Sequence, residues 1–329
     1  MVGTEWEDKN VLVTGATGFV GYWLTRALVD KGANVVALTY GDVAKSVLGT
    51  TGLLSKLKAV QCDIRDFESV KKVFADNGID SCFHLAAQAI VGIANQSPVQ
   101  TLEINIMGTW NILEAVRTSE GIERVAIAST DKVYGEPVKL PITEDHPLLA
   151  LYPYDASKAC ADILSRTFAK MYGLPIGVTR CCNIYGGGDL NFSRIIPDTI
   201  RAAIENRSPI IRSDGTPVRD YIHVDDAVSA YLALAENLHR QEIKGEAFNF
   251  GSNSPITVLD LVKKIIELSG KSLQPDVQGK GKTKGEIQKQ YLASEKARKL
   301  LGWTPKVGLD EGLKRTIEWY AKFFNAKQK

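Results

Sequence analysis

Asn10-Val11-Leu12-Val13-Thr14-Gly15-Ala16-Thr17-Gly18-Phe19-Val20-Gly21 decides how the chain is read. An apolar run leads into three glycines spaced by two, and Tyr22 to Lys31 follows with apolar residues at helical intervals. This predicts strand, tight turn, helix. Glycine at 15, 18 and 21 lets the backbone turn sharply, come close to a pyrophosphate and pack the helix on the sheet. The helix N-terminus then presents free N–H groups and the positive end of its dipole. The spacing G-x-x-G-x-x-G departs from G-x-G-x-x-G. The strand before it and the helix after it are nevertheless the context a dinucleotide-binding turn requires, so Gly15, Gly18, Phe19, Val20 and Gly21 are candidate cofactor contacts.

The alternation continues downstream. Asn34 to Thr39 reads as a second strand and Lys58 to Cys62 as a third. In NAD-binding proteins the second strand ends in an acid for the adenosine ribose. Here the residues are Thr39-Tyr40-Gly41-Asp42, with Asp42 late for that role and no arginine for a 2′-phosphate, so this strand does not decide between NAD and NADP. Asp63 and Ile64 follow the third strand, with Asp63 a candidate acceptor for the adenine amino group. Asp66 reads as the N-cap of a helix from Phe67 to Asn77. Asp80 to Gln88 is a buried strand whose end, Leu85-Ala86-Ala87-Gln88, leaves room for a flat ligand at the carboxyl edge of a parallel sheet. His84 within it reads as structural. Pro98 opens one long helix to about Thr118, carrying an Asn105 expected to hold backbone or water near the site. The whole pattern predicts a doubly wound parallel α/β sheet of the Rossmann type.

Glu123 to Ala128 is the next strand, so Ser129 and Thr130 emerge at the same edge as the glycine turn, followed by Asp131 and Lys132. If the segment after Pro153 is helical, Tyr154 and Lys158 share one face. A phenol with an ordinary pKa of about 10 is a poor base at neutral pH, and a neighbouring ammonium favours its phenolate. Alone, such a pair is ordinary helix surface. Its arrival at the edge that carries the glycine turn makes it a candidate centre for proton transfer.

Composition narrows the partners. With 40 basic and 38 acidic residues, a net charge of +2, nothing pulls the chain as a whole toward nucleic acid or membrane. No apolar run approaches a membrane span, and the acidic start at Glu5, Glu7 and Asp8 does not read as a leader, so a cytoplasmic protein with a small partner is expected. Cys62, Cys82, Cys160, Cys181 and Cys182 show neither metal-ligand spacing nor a disulfide framework and are expected as small core residues, with Cys181 and Cys182 on opposite faces of a strand.

The glycine turn with Phe19, Leu85 to Gln88, Asn105, Ser129-Thr130, Tyr154/Lys158, Arg180 to Asn183 with Tyr185-Gly186, and Arg219-Asp220-Tyr221-Ile222-His223-Val224 together carry a resemblance over almost the full length. The chain resembles the extended short-chain dehydrogenase/reductase family of nucleotide-sugar epimerases and dehydratases. That resemblance implies NAD as cofactor and a nucleoside-diphosphate hexose as substrate. It implies that Thr130 bonds the sugar 4-hydroxyl, Tyr154 takes its proton, Lys158 holds the nicotinamide ribose and the C4 hydride passes to NAD. It places Val20, Ile64, Asn105, Ser129 and Cys181 among the cofactor contacts. Gln88, Asn183, Arg194, Arg212, Arg219, Tyr221 and Glu286 fall on the substrate, with Asn183, Arg194 and Arg219 at the diphosphate, where a guanidinium fork suits phosphate oxygens.

Within the family, the residues after Thr130 separate the branches. Epimerases tend to carry small or uncharged residues there, whereas 4,6-dehydratases carry an acid and often a base, to eliminate water between C5 and C6. Asp131-Lys132, in the pattern Thr-Asp-Lys-x-Tyr, with Gly186-Gly187-Gly188-Asp189 later, resembles the CDP-glucose 4,6-dehydratases most. Asp131 is then the acid for the departing hydroxyl. Lys132 serves as C5 base only when neutral, with a water or Tyr154 as the alternative. An Asp131/Lys132 surface pair outside the pocket is the competing reading, and a UDP-sugar type 4-epimerase the competing function. Where epimerases carry Arg-Pro-Gly-Asp this chain has Thr283-Lys284-Gly285-Glu286, with no arginine, although the segment from Arg219 to Val224 has a form many epimerases share. A non-catalytic dinucleotide-binding regulator is a third reading, opposed by the intact Tyr/Lys pair. Residues 1–180, with a returning segment near 220–250, are expected to form the cofactor domain. Residues 181–329 are expected to form mainly a smaller, interleaved α/β substrate lobe, rich in loops beyond Tyr185. The family's use of the helices from Pro98 and Pro153 to pair subunits implies a homodimer.

Overall fold

A computed structural model describes residues 4–279 and 287–327. Within them β1 (Asn10–Thr14), β2 (Asn34–Thr39), β3 (Lys58–Gln61), β4 (Ser81–His84), β5 (Arg124–Thr130), β6 (Ile176–Cys181) and a last strand, Ala247–Phe250, form one sheet. The order across it is Ala247–Phe250, β6, β5, β4, β1, β2, β3, and every neighbouring pair is parallel. Parallel neighbours need crossover connections, so helices cover both faces, and the strands read as continuous apolar runs for that reason. Alternation divides β1 between the two cores. Val11 and Val13 join Leu24 and Leu28 of the helix Phe19–Asp30, while Leu12 joins Val73, Ile112 and Leu113 on the other face. This is the doubly wound sheet the sequence predicts.

The strand order reverses at β1, with β2 on one side and β4 on the other. The loops leaving β1 and β4 diverge there, which opens a crevice at the carboxyl ends of the strands.

Three local expectations change. β5 runs on to Thr130, so Ser129 and Thr130 are still in the ladder, opposite Arg180 and Cys181. The helix from Pro98 is three pieces: Pro98–Leu102, a π turn Glu103–Met107 containing Asn105, and Gly108–Thr118. β6 ends at Cys181, so strand alternation does not extend to Cys182 and both cysteines border the crevice. Of the five cysteines, four are buried and Cys160 is exposed, on the outward face of the helix Pro153–Tyr172.

Beyond residue 181 short strands pair in small sheets, Asn183–Tyr185 with Tyr221–His223 and Ile210–Ile211 with Asp276–Val277 among them. The turn-rich composition there suggested loops, yet the helices Ile195–Ile204, Val258–Leu268 and Leu309–Lys327 gather around Tyr185, Ile200, Leu261, Ile265, Leu313 and Tyr320. Apolar residues three and four apart, as in Leu261, Val262, Ile265 and Ile266, are sufficient to make such faces. No described helix is long and apolar enough to cross a membrane.

Candidate active site

Two of the three glycines are required by backbone contact. Gly15 leaves β1 with φ of 72°, and a Cβ there would lie 2.8 Å from the Ala86 amide nitrogen. A Cβ on Gly21 would lie 2.0 Å from the Gly15 carbonyl oxygen. The loop after β1 thus lies directly on the loop after β4, with the helix starting over the turn. Gly18 precedes that helix without a side-chain cap, and Gly18 to Gly21 line the crevice, so the helix end faces the place a pyrophosphate would take.

A chain of hydrogen bonds locks the seam. Thr14 Oγ1 accepts from the amides of Leu85 (3.1 Å) and Ala86 (3.0 Å), and its own proton goes to His84 Nδ1 at 2.8 Å. His84 is then left with Nε2–H, which donates to Thr109 Oγ1 at 3.1 Å, and Thr109 donates to the Asn105 carbonyl at 2.6 Å. Burial, with the Lys158 charge nearby, pushes His84 down to about 3 and keeps it neutral, as those bonds require. Asn105 Oδ1 accepts from Gln88 N at 2.7 Å, while its Nδ2 donates to the Gln88 carbonyl at 3.1 Å and to Ser157 Oγ at 2.8 Å. Asn105 therefore stands behind the crevice wall and holds Gln88 in place; it does not reach the crevice itself. The π turn is what brings it there, in keeping with the frequent placing of such turns beside functional sites.

The crevice has a volume of about 1170 Å³. The glycine turn, Asp63, Ile64, Leu85 to Gln88, Ser129 to Lys132, Tyr154, Lys158, Cys181, Asn183, Arg194, Arg212 and Tyr221 all border it. Arg219 does not: its strand lies to the side, and its Nη1 donates to the Val218 carbonyl at 2.9 Å. Glu286 lies outside the described residues. Asp63 borders the crevice with its carboxylate already engaged by the guanidinium of Arg65, at 2.6 Å in the shortest contact, which holds it below the usual carboxylate range. Sequence reading missed Asp189 and Tyr231 on the wall. Asp189, which follows the glycines 186 to 188, takes Arg194 Nη1 at 2.9 Å.

Thr130, Asp131, Lys132, Tyr154 and Lys158 converge on one side of the crevice. Thr130 Oγ1 donates to Asp131 Oδ1 at 3.1 Å and also bonds the Tyr154 phenol. A hydroxyl has one proton, so a neutral Tyr154 donates to Thr130, which donates to Asp131; an ionised Tyr154 draws the Thr130 proton to itself. Burial pushes Tyr154 up to about 12; the Arg194 guanidinium opposes this, Asp155 and Asp131 add to it, and the Thr130 bond opposes it. The Arg194 guanidinium is thus a cation that favours the ionised phenol. Lys158, expected beside the phenol, borders the same crevice, and burial brings it down to about 8 against the pull of Asp162. Asp131 is 1% exposed, its Oδ2 has no hydrogen-bond partner, and Lys132 Nζ stands 4.0 Å from its Oδ1. The pair belongs to the crevice and not to an outer surface.

Over residues 12–316 the chain matches the family described as GDP-mannose 4,6 dehydratase. The chain belongs to this family. As an extended short-chain dehydrogenase/reductase it is an NAD-dependent enzyme, a nucleotide-sugar dehydratase or epimerase. It is 31% identical over 329 residues to a CDP-glucose 4,6-dehydratase of Salmonella typhimurium, covering 96% of this chain and 91% of that protein. It is 32% identical over 319 residues to a putative UDP-glucose 4-epimerase of Methanocaldococcus jannaschii, covering 94% and 97%. The structure of a dTDP-glucose 4,6-dehydratase from Streptomyces venezuelae with NAD bound aligns at a TM-score of 0.84 and 29% identity, over 96% of this chain and 98% of that one. The residues present fit the cofactor, because Gly15 and Gly21 leave no room for a side chain where the turn meets the loop after β4, and the uncapped helix end opens onto the crevice.

Proposed function

We propose that the protein is an NAD-dependent nucleotide-sugar 4,6-dehydratase of the CDP-glucose type. The observation that supports this reading is the placing of Asp131, buried on the crevice wall beside Thr130 with a carboxylate oxygen free. A 4-epimerase has no step that calls for an acid there, whereas a dehydratase must expel the 6-hydroxyl.

NAD, when bound, supplies the acceptor for the C4 hydride and returns that hydride at C6. Tyr154, once ionised, accepts the 4-hydroxyl proton, with Thr130 turning its own proton toward the phenolate. The new ketone acidifies the hydrogen on C5. Asp131 and Lys132 then act as a couple. Lys132 takes the C5 proton and Asp131, 4.0 Å away, gives a proton to the departing hydroxyl, which leaves as water, so the couple holds as many protons after the step as before it. Asn183, Arg194 and Arg212 are the residues we place on the nucleoside diphosphate, at the side of the crevice formed by residues beyond 181. Residues 1–180 with the segment near 220–250 would carry the cofactor, and 181–329 mainly the nucleotide sugar.

Incubation with CDP-, UDP- and GDP-hexoses, read by product mass, separates the readings. Loss of one water supports the dehydratase, an isomer of unchanged mass replaces it by the epimerase, and no conversion of any of them removes both. Asp131→Asn is the sharper variant. It is expected to lower water loss by roughly 10²-fold or more while C4 oxidation, read as reduced nicotinamide in a single turnover, continues. Water loss at the wild-type rate would remove Asp131 from the acid role.

A further inference from the structure

Behind the crevice wall runs a buried network that the chemistry above does not use. Arg180, 1% exposed, donates Nε–H and Nη2–H to the two oxygens of Asp162, each at 2.8 Å, and Nη1–H to the Tyr134 hydroxyl at 2.9 Å. Tyr134, having accepted from the guanidinium, donates to Asn249 Oδ1 at 2.7 Å, and Asn249 Nδ2 donates to the Ile142 carbonyl at 3.0 Å. A guanidinium only donates, so the direction of every bond is set from the arginine end. The guanidinium also lies over the Tyr134 ring, 5.1 Å from its centroid.

Each member stands one step from a residue on the crevice. Asp162 is one helical turn beyond Lys158, Tyr134 is one tight turn beyond Asp131, and Arg180 immediately precedes Cys181. Between Asp131 and the helix at Pro153, the single short helix Asp131–Tyr134 is all the regular structure there is. The sheet therefore places Thr130 but not Asp131 or the residues after it. A buried ion pair is a weak source of stability, because desolvation offsets its attraction; its distinct contribution is a single geometry. Catalytic groups need that, being useful only when held within a fraction of an ångström.

We propose that Asp162, Arg180 and Tyr134 form a positioning strut that fixes the Thr130–Asp131 turn against the helix carrying Tyr154 and Lys158. The C4 oxidation then depends on three residues that never touch the substrate. This rests on Thr130, Tyr154 and Lys158 being the redox centre, and is independent of whether the product is dehydrated or epimerised, since both begin with the same oxidation.

Tyr134→Phe keeps the ring and its packing and removes only the hydroxyl joint. The enzyme with bound NAD is mixed with whichever nucleotide hexose the wild type converts, and the single-turnover appearance of reduced nicotinamide is followed alongside kcat and KM. The variant should lose roughly ten- to a hundredfold in kcat and in the single-turnover rate, as expected for a small misplacement, with KM within about threefold of the wild type. Asp162→Asn should lose a similar factor, and the double variant should be no worse than the poorer single one, because the residues act as one unit. If Asp162→Asn does not fold, Tyr134→Phe decides alone. A Tyr134→Phe enzyme with the wild-type single-turnover rate, or with its loss confined to KM, overturns the strut. A wild type that reduces its nicotinamide with no nucleotide sugar overturns the functional reading, and the strut with it.

Discussion

Asp155 follows Tyr154 and is buried, with Lys132 and Asp131 as its charged neighbours. Burial pushes its carboxyl up to about 6 against the favourable charge of Lys132, and Asp131 adds to the rise. A carboxyl whose pKa is raised on folding is no burden where it is protonated in both states, and its burden grows as pH rises through the folded value. Asp155→Asn should therefore stabilise the protein by roughly 1–3 kcal/mol at about pH 7, with the gain shrinking to nothing near pH 4. Denaturant melts of both proteins across that range check this, and a gain that is the same at both ends would mean that burial of the charge is not its cause. At this scale the sequence shows which groups meet at the crevice, since Thr130, Tyr154 and Lys158 are separated by spacings a strand and a helix translate directly into proximity. It does not show which cation acts on the phenol. Arg194, forty residues along, is one that favours the ionised phenol, and only the packed lobe brings it to the same crevice.

The glycine turn is legible because its requirement is local: a chain that leaves a strand and enters a helix within a few residues has no space for a side chain at the crossing. Gly21→Ala would put a methyl group against a carbonyl that has no freedom to move aside. It is expected to cost roughly 1–3 kcal/mol or more of stability and to weaken NAD binding. Gly308→Ala, which meets nothing within 4 Å, should do neither. Melting temperature and NAD titration test both, and equal behaviour of the two variants would remove the steric argument. The π turn at Asn105 was not legible, since the apolar periodicity from Pro98 to Thr118 reads as one helix. Only the bonds from Asn105 to Gln88 and Ser157, on two other elements, give the interruption a purpose.

For the whole molecule we propose a pair of identical chains. The helices Pro98–Leu102, Gly108–Thr118 and Pro153–Tyr172 lie together and leave apolar side chains in the open, with Val99 67% and Ile163 52% exposed. Large exposed apolar patches mark association surfaces. Sedimentation should give a dimer, and Ile163→Glu should shift it toward monomer with the fold intact; a monomeric wild type at micromolar concentration would sink the proposal. By itself the sequence determined the alternation of strands and helices through the first six strands, the cofactor turn, and the arrival of Thr130, Tyr154 and Lys158 at one sheet edge, because each is set by periodicity or by residues close in the chain. The tertiary structure alone decided that Asp131 and Lys132 lie inside the crevice, that Arg219 lies to its side, and that Asp162, Arg180 and Tyr134 join three segments behind it. Burial and the charge around a group depend on what the rest of the fold packs against it, and no local spacing records that.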